Sequence, residues 1–343
     1  MLFGENPSLQ PLEGLKGIEF ANAQLKNLAI EKKVPGMSVT ILKNGKKLLQ
    51  AGYGFADLEQ RVKVDPKKSL FRIASISKCI TGLAFGKMVE EGLLHWDDSF
   101  YKYVVDYPQK KYDFTLRQLA SHTAGIRAYK GKEFALNQPF TITDSLEVFK
   151  NDPLVFEPGR GYLYNSFDFV LLSLAMQKAS DVPFEKYVNE KVLLPLGMSK
   201  TVPRMEKDHD VANFYTTAKL GFKPALEVDN FYKLAGGGYL STSDDIARLG
   251  QAVLERKLLK EATYKELLMA QTVNGKSTYY GLGFQVTQGV HGRSYVGHVG
   301  NSVGAYTNLF VYPEEELVFV VLVNSSDPKI QAELNLLLEQ VLL

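Results

Sequence analysis

Along the first ninety residues the spacing of apolar positions changes period twice. Ile18, Ala21, Leu25, Leu28 and Ala29 share one helical face, and Val34-Pro35-Gly36 stops that helix. Two strands are expected next, Met37–Lys43 and Lys46–Gly54, joined by Asn44-Gly45. Both turn positions tolerate the positive φ of a tight hairpin. Within Phe71–Gly92 the helical period returns through Ile76, Ile80, Leu83, Ala84 and Met88.

The middle of the chain reads mostly as helix broken by loops. Leu93–Asp106 reads as a loop with a short helix, Phe114–Gly125 as a helix ended by Gly125, and Thr143–Asn151 as a helix capped by Thr143. After a Pro/Gly-broken loop, Phe167–Ser180 is apolar and helical, and Val188–Gly197 closes this region. Val211–Asp229 alternates weakly, as a hairpin would. Gly236-Gly237-Gly238 implies an unusual backbone path or a close approach by another segment. Ser241–Lys257 is a helix with a Ser/Thr start.

Strands then return at Gly281–Thr287, Arg293–Gly297, Ala305–Tyr312 and Leu317–Asn324. The last is a continuous apolar run, as a strand covered on both faces requires. A final helix follows Asp327-Pro328, with Ile330, Leu334, Leu337 and Val341 inward. The expected fold class is therefore α/β in the α+β sense. One antiparallel sheet is built from both chain ends and flanked by terminal helices, and a mostly helical part is inserted. Residues 1–70 and 235–343 form the sheet lobe, 71–234 the helical lobe, and the site lies in the cleft between them.

Composition narrows the function. Of 343 residues 45% are apolar and 23% charged, which suits a globular protein with a sizeable core. The formal net charge of +2, without a basic run, argues against a nucleic-acid partner. No apolar run reaches the length of a membrane span. Met1–Gly17 lacks the basic-then-apolar layout of an export leader. The compartment stays open: exported if a leader has been removed, cytoplasmic otherwise. Cys79 is the sole cysteine, which rules out an intrachain disulfide and points to a buried apolar filler.

Candidate chemistry begins at Ser75. It sits where the Phe71–Gly92 helix should start, and Lys78, three residues on, shares its face. Unpaired N–H groups of a first helical turn favour negative charge, so a nucleophile there has an oxyanion donor at hand. Alone, Ser-x-x-Lys is better read as an N-cap and a solvated Lys. A second copy, Ser326-Asp327-Pro328-Lys329, is only a helix start. Support comes from two further stretches. Tyr162-Leu163-Tyr164-Asn165-Ser166 precedes the Phe167 helix, and a Lys78 ammonium near Tyr164 would lower its phenol and make either group a proton acceptor for Ser75. Gly297-His298-Val299-Gly300-Asn301 falls between two expected strands: an edge strand beside Ser75 would offer the Asn301 N–H as the second oxyanion donor, with His298 bordering substrate, and a hairpin turn with an incidental His is the alternative.

Other motifs fail. Gly300-Asn301-Ser302-Val303-Gly304 matches a nucleophile elbow, but strands rather than a helix follow it, and no His comes after. The five His are scattered without metal-ligand spacing. His122 reads as a structural residue, and Asp97-Asp98 and Asp244-Asp245 as caps and solvated faces. No phosphate loop is present, and no cofactor is implied.

Taken together, FRIASISK, LRQLASHTAGI, YLYNSFDFVLLS, AGGGYLST, YGLGF and GHVGNSVGAYTNLFVYP resemble the serine β-lactamase-like hydrolase family over roughly residues 20–325. That family includes class C β-lactamases, D-alanyl-D-alanine peptidases and family VIII esterases. SHTAGIRAY, SLEVFKNDPLVFEPG and NFYKLAGGGYLST are most similar to its mitochondrial branch and the bacterial relatives of that branch. The resemblance implies the β-lactamase/transpeptidase-like fold, Ser75 as nucleophile, Lys78 and Tyr164 as the proton-transfer pair, and the N–H groups of Ser75 and Asn301 as oxyanion donors. Ser166, His298, Gly300 and Tyr232 would contact substrate. There are two departures. Ser166 stands where the Tyr-x-Asn box has Asn, and His298 replaces the Lys of the Lys-Thr-Gly box. Both disfavour β-lactams and leave esters or neutral peptides.

The expected function is a serine hydrolase working through an acyl-enzyme on a small ester, peptide or β-lactam substrate. The alternatives are a β-lactamase or D-alanyl-D-alanine carboxypeptidase, and a catalytically silent penicillin-binding sensor or self-assembling scaffold.

Overall fold

The computed structural model describes residues 8–206 and 210–343. The first seven residues of Met1–Gly17 therefore lie outside the described residues. Helix α1 spans Gly17–Ile30. The hairpin follows as β1 (Gly36–Lys43) and β2 (Lys46–Asp57), with Asn44 and Gly45 at φ 52° and 70°. A short β3 (Val62–Lys63) completes this half of the sheet. The later helices are α2 (Ser77–Glu90), α3 (Phe167–Ser180) and α4 (Ser243–Leu254). The sheet resumes with β4 (Gln285–Gln288), β5 (Ser294–Ser302), β6 (Ala305–Tyr312) and β7 (Leu317–Val323), before α5 (Gln331–Leu342).

These strands form one seven-stranded sheet in the order β4-β5-β6-β7-β1-β2-β3. Every neighbouring pair is antiparallel, and β7 joins the two chain ends by pairing with β1. The side chains of β7 show why its sequence is apolar throughout. Phe319 and Val321 enter a core with Leu25 and Leu28 of α1 and Leu334 and Leu337 of α5. Val318, Val320 and Leu322 enter the opposite core with Ile246 and Leu249 of α4. Successive strand residues face opposite ways, so a strand covered on both faces needs apolar residues at every position. Among the described residues no helix is long and apolar enough to cross a membrane.

Several local expectations change. The helix around Phe114 is only Leu116–Ala120, started by a Thr115–Gln118 capping box and broken before His122, which is left-handed at φ 62°. Residues 144–148 form a 3₁₀ turn. Thr143 makes no cap bond, and Thr141 Oγ1 instead accepts from Asp144 N at 3.1 Å. The Gly297–Asn301 stretch is not a turn but the body of β5. Its glycines permit close packing: a Cβ on Gly297 would fall 2.0 Å from the Leu309 carbonyl oxygen. The actual turn lies just beyond, at Val303-Gly304, where Gly304 has φ 71°.

Candidate active site

The chain turns sharply before α2. Ala74, buried and left-handed at φ 47°, places Ser75 in a 3₁₀ turn ahead of the helix. A left-handed conformation costs a non-glycine residue roughly 1–2 kcal/mol, so the surroundings must impose it. They do so from two sides: Ile73 N donates to Tyr239 O at 3.1 Å, and Thr307 Oγ1 of β6 donates to Ile73 O at 3.0 Å. The glycine-rich segment is tied to α2 in the same way, through Thr81 Oγ1 to Ala235 O at 2.8 Å.

Two side chains meet at the Ser75 hydroxyl, one from the next helical turn and one from a distant loop. Tyr164 Oη donates to Ser75 Oγ at 2.6 Å. Lys78 Nζ lies 3.4 Å from the same oxygen and donates to Gly236 O at 2.6 Å. Lys78 is fully buried, and its ammonium also faces the rings of Tyr164 and Phe169, with centroids at 4.7 and 5.3 Å.

The expected mutual tuning of Lys78 and Tyr164 is only half present. Burial, followed by the charge of Lys233, pushes Lys78 down to about 7. Burial of its hydroxyl pushes the Tyr164 phenol up instead of letting Lys78 draw it down, although the ring edge leaves the residue 36% exposed. An amine starved of water sheds its proton before it can stabilise a phenolate. Near pH 7 the pair is therefore an amine poised between its charged and neutral forms beside a protonated phenol.

Behind Tyr164 sits a layer that sequence reasoning missed. The His122 ring packs 4.5 Å from the Tyr164 ring, and its Nδ1 lies 2.8 Å from Asp168 Oδ2. Burial lowers His122 and raises Asp168, in each case favouring the neutral form. Asn165 Nδ2 donates to Asp168 Oδ2 at 2.7 Å and to Leu163 O at 2.9 Å, which fixes the loop carrying Tyr164. His122, expected to be a satisfied structural residue, holds Asp168 through Nδ1, while its buried Nε2 has no hydrogen-bond partner among the described residues. Its position against the nucleophile's partner could be found only from the fold.

Of the other site residues, Asn301 and Ser166 line one cavity of about 450 Å³ with Ser75. In β5 the Val299 N–H turns to the β4 side and donates to Gln285 Oε1 at 3.0 Å. Two residues on, the Asn301 N–H points the same way, past Gln285–Gly297, the last β4 pair. That edge position suits an oxyanion donor. Gly300 lets β5 pass close to the nucleophile: a Cβ there would stand 3.0 Å from Ser75 N.

Two substrate-contact expectations are corrected. His298 is 1% exposed, holds Tyr280 Oη at 3.0 Å through Nε2, and directs Nδ1 to the Val299 carbonyl at 2.6 Å. Nδ1 therefore carries the proton and Nε2 accepts from Tyr280. Burial and then Lys78 lower His298 to about 3, so it is neutral and packs behind Tyr164. Tyr232 is fully buried and donates to Glu133 O at 2.8 Å. Its neighbour Lys233 lines the cavity instead. Buried Cys79 is pushed up by desolvation and packs as an inert filler.

A family model described as Beta-lactamase matches residues 21–343. The human "Serine beta-lactamase-like protein LACTB, mitochondrial" is 29% identical, over 88% of this chain and 73% of its own length. The solved octameric penicillin-binding protein homologue from Pyrococcus abyssi is 28% identical, with a TM-score of 0.83 over 95% of this chain and 78% of its own. EstCE1, described as a hydrolase with promiscuous acyltransferase activity, is 20% identical and shares the fold, at a TM-score of 0.83 over 95% of this chain and 98% of its own.

Proposed function

Because the chain belongs to the Beta-lactamase family, whose members include serine hydrolases, we propose that it cleaves ester or amide bonds through an acyl-enzyme on Ser75. One observation carries this reading: a hydroxyl that receives Tyr164 Oη at 2.6 Å, with a buried amine of pKa about 7 at 3.4 Å. At neutral pH a large share of Lys78 is unprotonated, so its lone pair is free for the Ser75 proton.

The steps balance as follows. Ser75 Oγ loses its proton to Lys78 Nζ and bonds to the carbonyl carbon. The oxyanion sits against the N–H groups of Ser75 and Asn301. The Lys78–Tyr164 pair returns the proton to the leaving atom through Tyr164 Oη, and the carbonyl re-forms as an ester on Ser75. Water then gives a proton to the same pair and attacks that ester, the bond to Ser75 Oγ breaks, Oγ takes the proton back, and the acid departs. Neutral His298 puts no fixed cation at the third box, which supports esters and peptides over β-lactams.

A fluorophosphonate probe tests this reading. Labelling of Ser75 in the folded protein, abolished in Ser75→Ala, is expected. An unlabelled Ser75 would favour the silent sensor or scaffold.

A further inference from the structure

The cavity beside Ser75 contains a cation that the proposed steps do not use. Lys233 is 6% exposed and lines the cavity with Ser75, Ser166 and Asn301. Its ammonium donates to the Phe134 carbonyl at 2.6 Å and lies 5.4 Å from the Tyr129 ring centroid. An ammonium has three donors, and one carbonyl does not satisfy them. Among the described residues no carboxylate pairs with it. The charge that acts on it is another cation, Arg72, and burial and that neighbour together bring Lys233 down to about 7.

Arg72 deepens the imbalance. It is 5% exposed, donates from Nη1 to Val303 O at 2.8 Å, and stacks 4.0 Å over the Phe214 ring. Val303 is itself part of the cavity wall. Asp327 is the cavity's only acidic residue among those described, and it is paired with Lys329. Buried charges are normally paired, because leaving them unpaired is costly. Lys233 is only partly charged near pH 7, and an anionic ligand in the cavity would stabilise its charged form.

The cavity also indicates which part of a substrate it receives. Tyr164, the donor to the leaving atom, does not line it, whereas Ser75 and Asn301 do. That lining favours the acyl side of the scissile bond. We propose that Lys233 recognises a carboxylate carried on the acyl part of the substrate. It would take over, from a different place in the fold, the charge that His298 no longer supplies. This rests on the serine-hydrolase reading above.

The test compares two esters of equal length: mono-4-nitrophenyl adipate, which carries a free carboxylate, and its neutral methyl ester. The wild-type protein is expected to prefer the acid in kcat/KM by about 10- to 100-fold, the range of a charge-assisted hydrogen bond. In Lys233→Met that ratio should fall to near one. Fluorophosphonate labelling of Ser75 is read in parallel. A wild-type ratio near one with Ser75 labelled overturns the Lys233 assignment and leaves the hydrolase reading standing. So does a Lys233→Met protein that keeps the wild-type ratio. An unlabelled wild-type Ser75 removes both. The wild-type ratio needs no variant, so it decides the matter even if Lys233→Met does not fold.

Discussion

Gly300 of β5 passes so close to Ser75 that a methyl group on its α-carbon would stand 3.0 Å from the Ser75 amide nitrogen. The same methyl would meet Thr307 Oγ1 at 2.3 Å and Ala74 Cβ at 2.9 Å. Neither backbone can yield without moving one of the two proposed oxyanion donors.

Gly300→Ala should therefore separate β5 from the turn at Ser75. Ester hydrolysis is expected to fall by about 10²-fold, the scale of losing one oxyanion donor. Near-native circular dichroism alongside that loss would place the effect at the site. Unchanged kcat/KM would show that the strand edge does not hold the oxyanion.

Tyr164→Phe removes one hydroxyl and keeps the ring against His122. Loss of a proton-transfer group predicts a drop of roughly 10²–10⁴ in kcat. The melting temperature should change little, because the ring and its packing on His122 are kept. A variant that retains full rate would take Tyr164 out of the proton path.

Lys78 sets the pH dependence. Its amine must be neutral to accept the Ser75 proton, and its folded pKa is about 7. The kcat/KM for a neutral ester should rise from pH 6 to pH 8 and then level off. A profile that falls over that interval would contradict Lys78 as base.

The same burial affects stability, with a definite sign. Lys78 and Lys233 both drop from 10.5 to about 7 on folding, so between those values the unfolded chain binds more protons. Stability from these groups therefore rises with pH across that window and is lowest below pH 7, where both ammonium groups are buried charged. Lys78→Met should raise the melting temperature at pH 6 by a few °C, since about 1 kcal/mol moves a mid-sized domain by roughly that much. A lower melting temperature at pH 6 would contradict this.

The sequence was most legible where one physical rule governed a long stretch. The Asn44-Gly45 hairpin, the apolar run of β7 and the helix at Phe167–Ser180 were readable because turn chemistry or periodicity alone decides them. It was least legible where glycine had two uses. Gly297 and Gly300 allow a turn on sequence alone, but they serve backbone contact inside a strand. Ser75, Lys78 and Tyr164 could be named because their motifs are local. His122, Asp168, Tyr280 and Lys233 could not be given places at the site. Their roles arise from distant segments meeting, as when Tyr280 Oη reaches His298 Nε2 at 3.0 Å. The direction of the Tyr164 shift was misjudged for a related reason. Charge proximity is visible in a motif, whereas the depth of burial that outweighs it is not.

The central claim, a covalent acyl group on Ser75, is tested most directly by intact-mass and peptide-mapping spectrometry of protein quenched during turnover of a 4-nitrophenyl ester. The expected result is a mass increase equal to one acyl group, mapped to Ser75 and absent from Ser75→Ala. Turnover with no adduct on Ser75, or an adduct on another residue, would contradict the account.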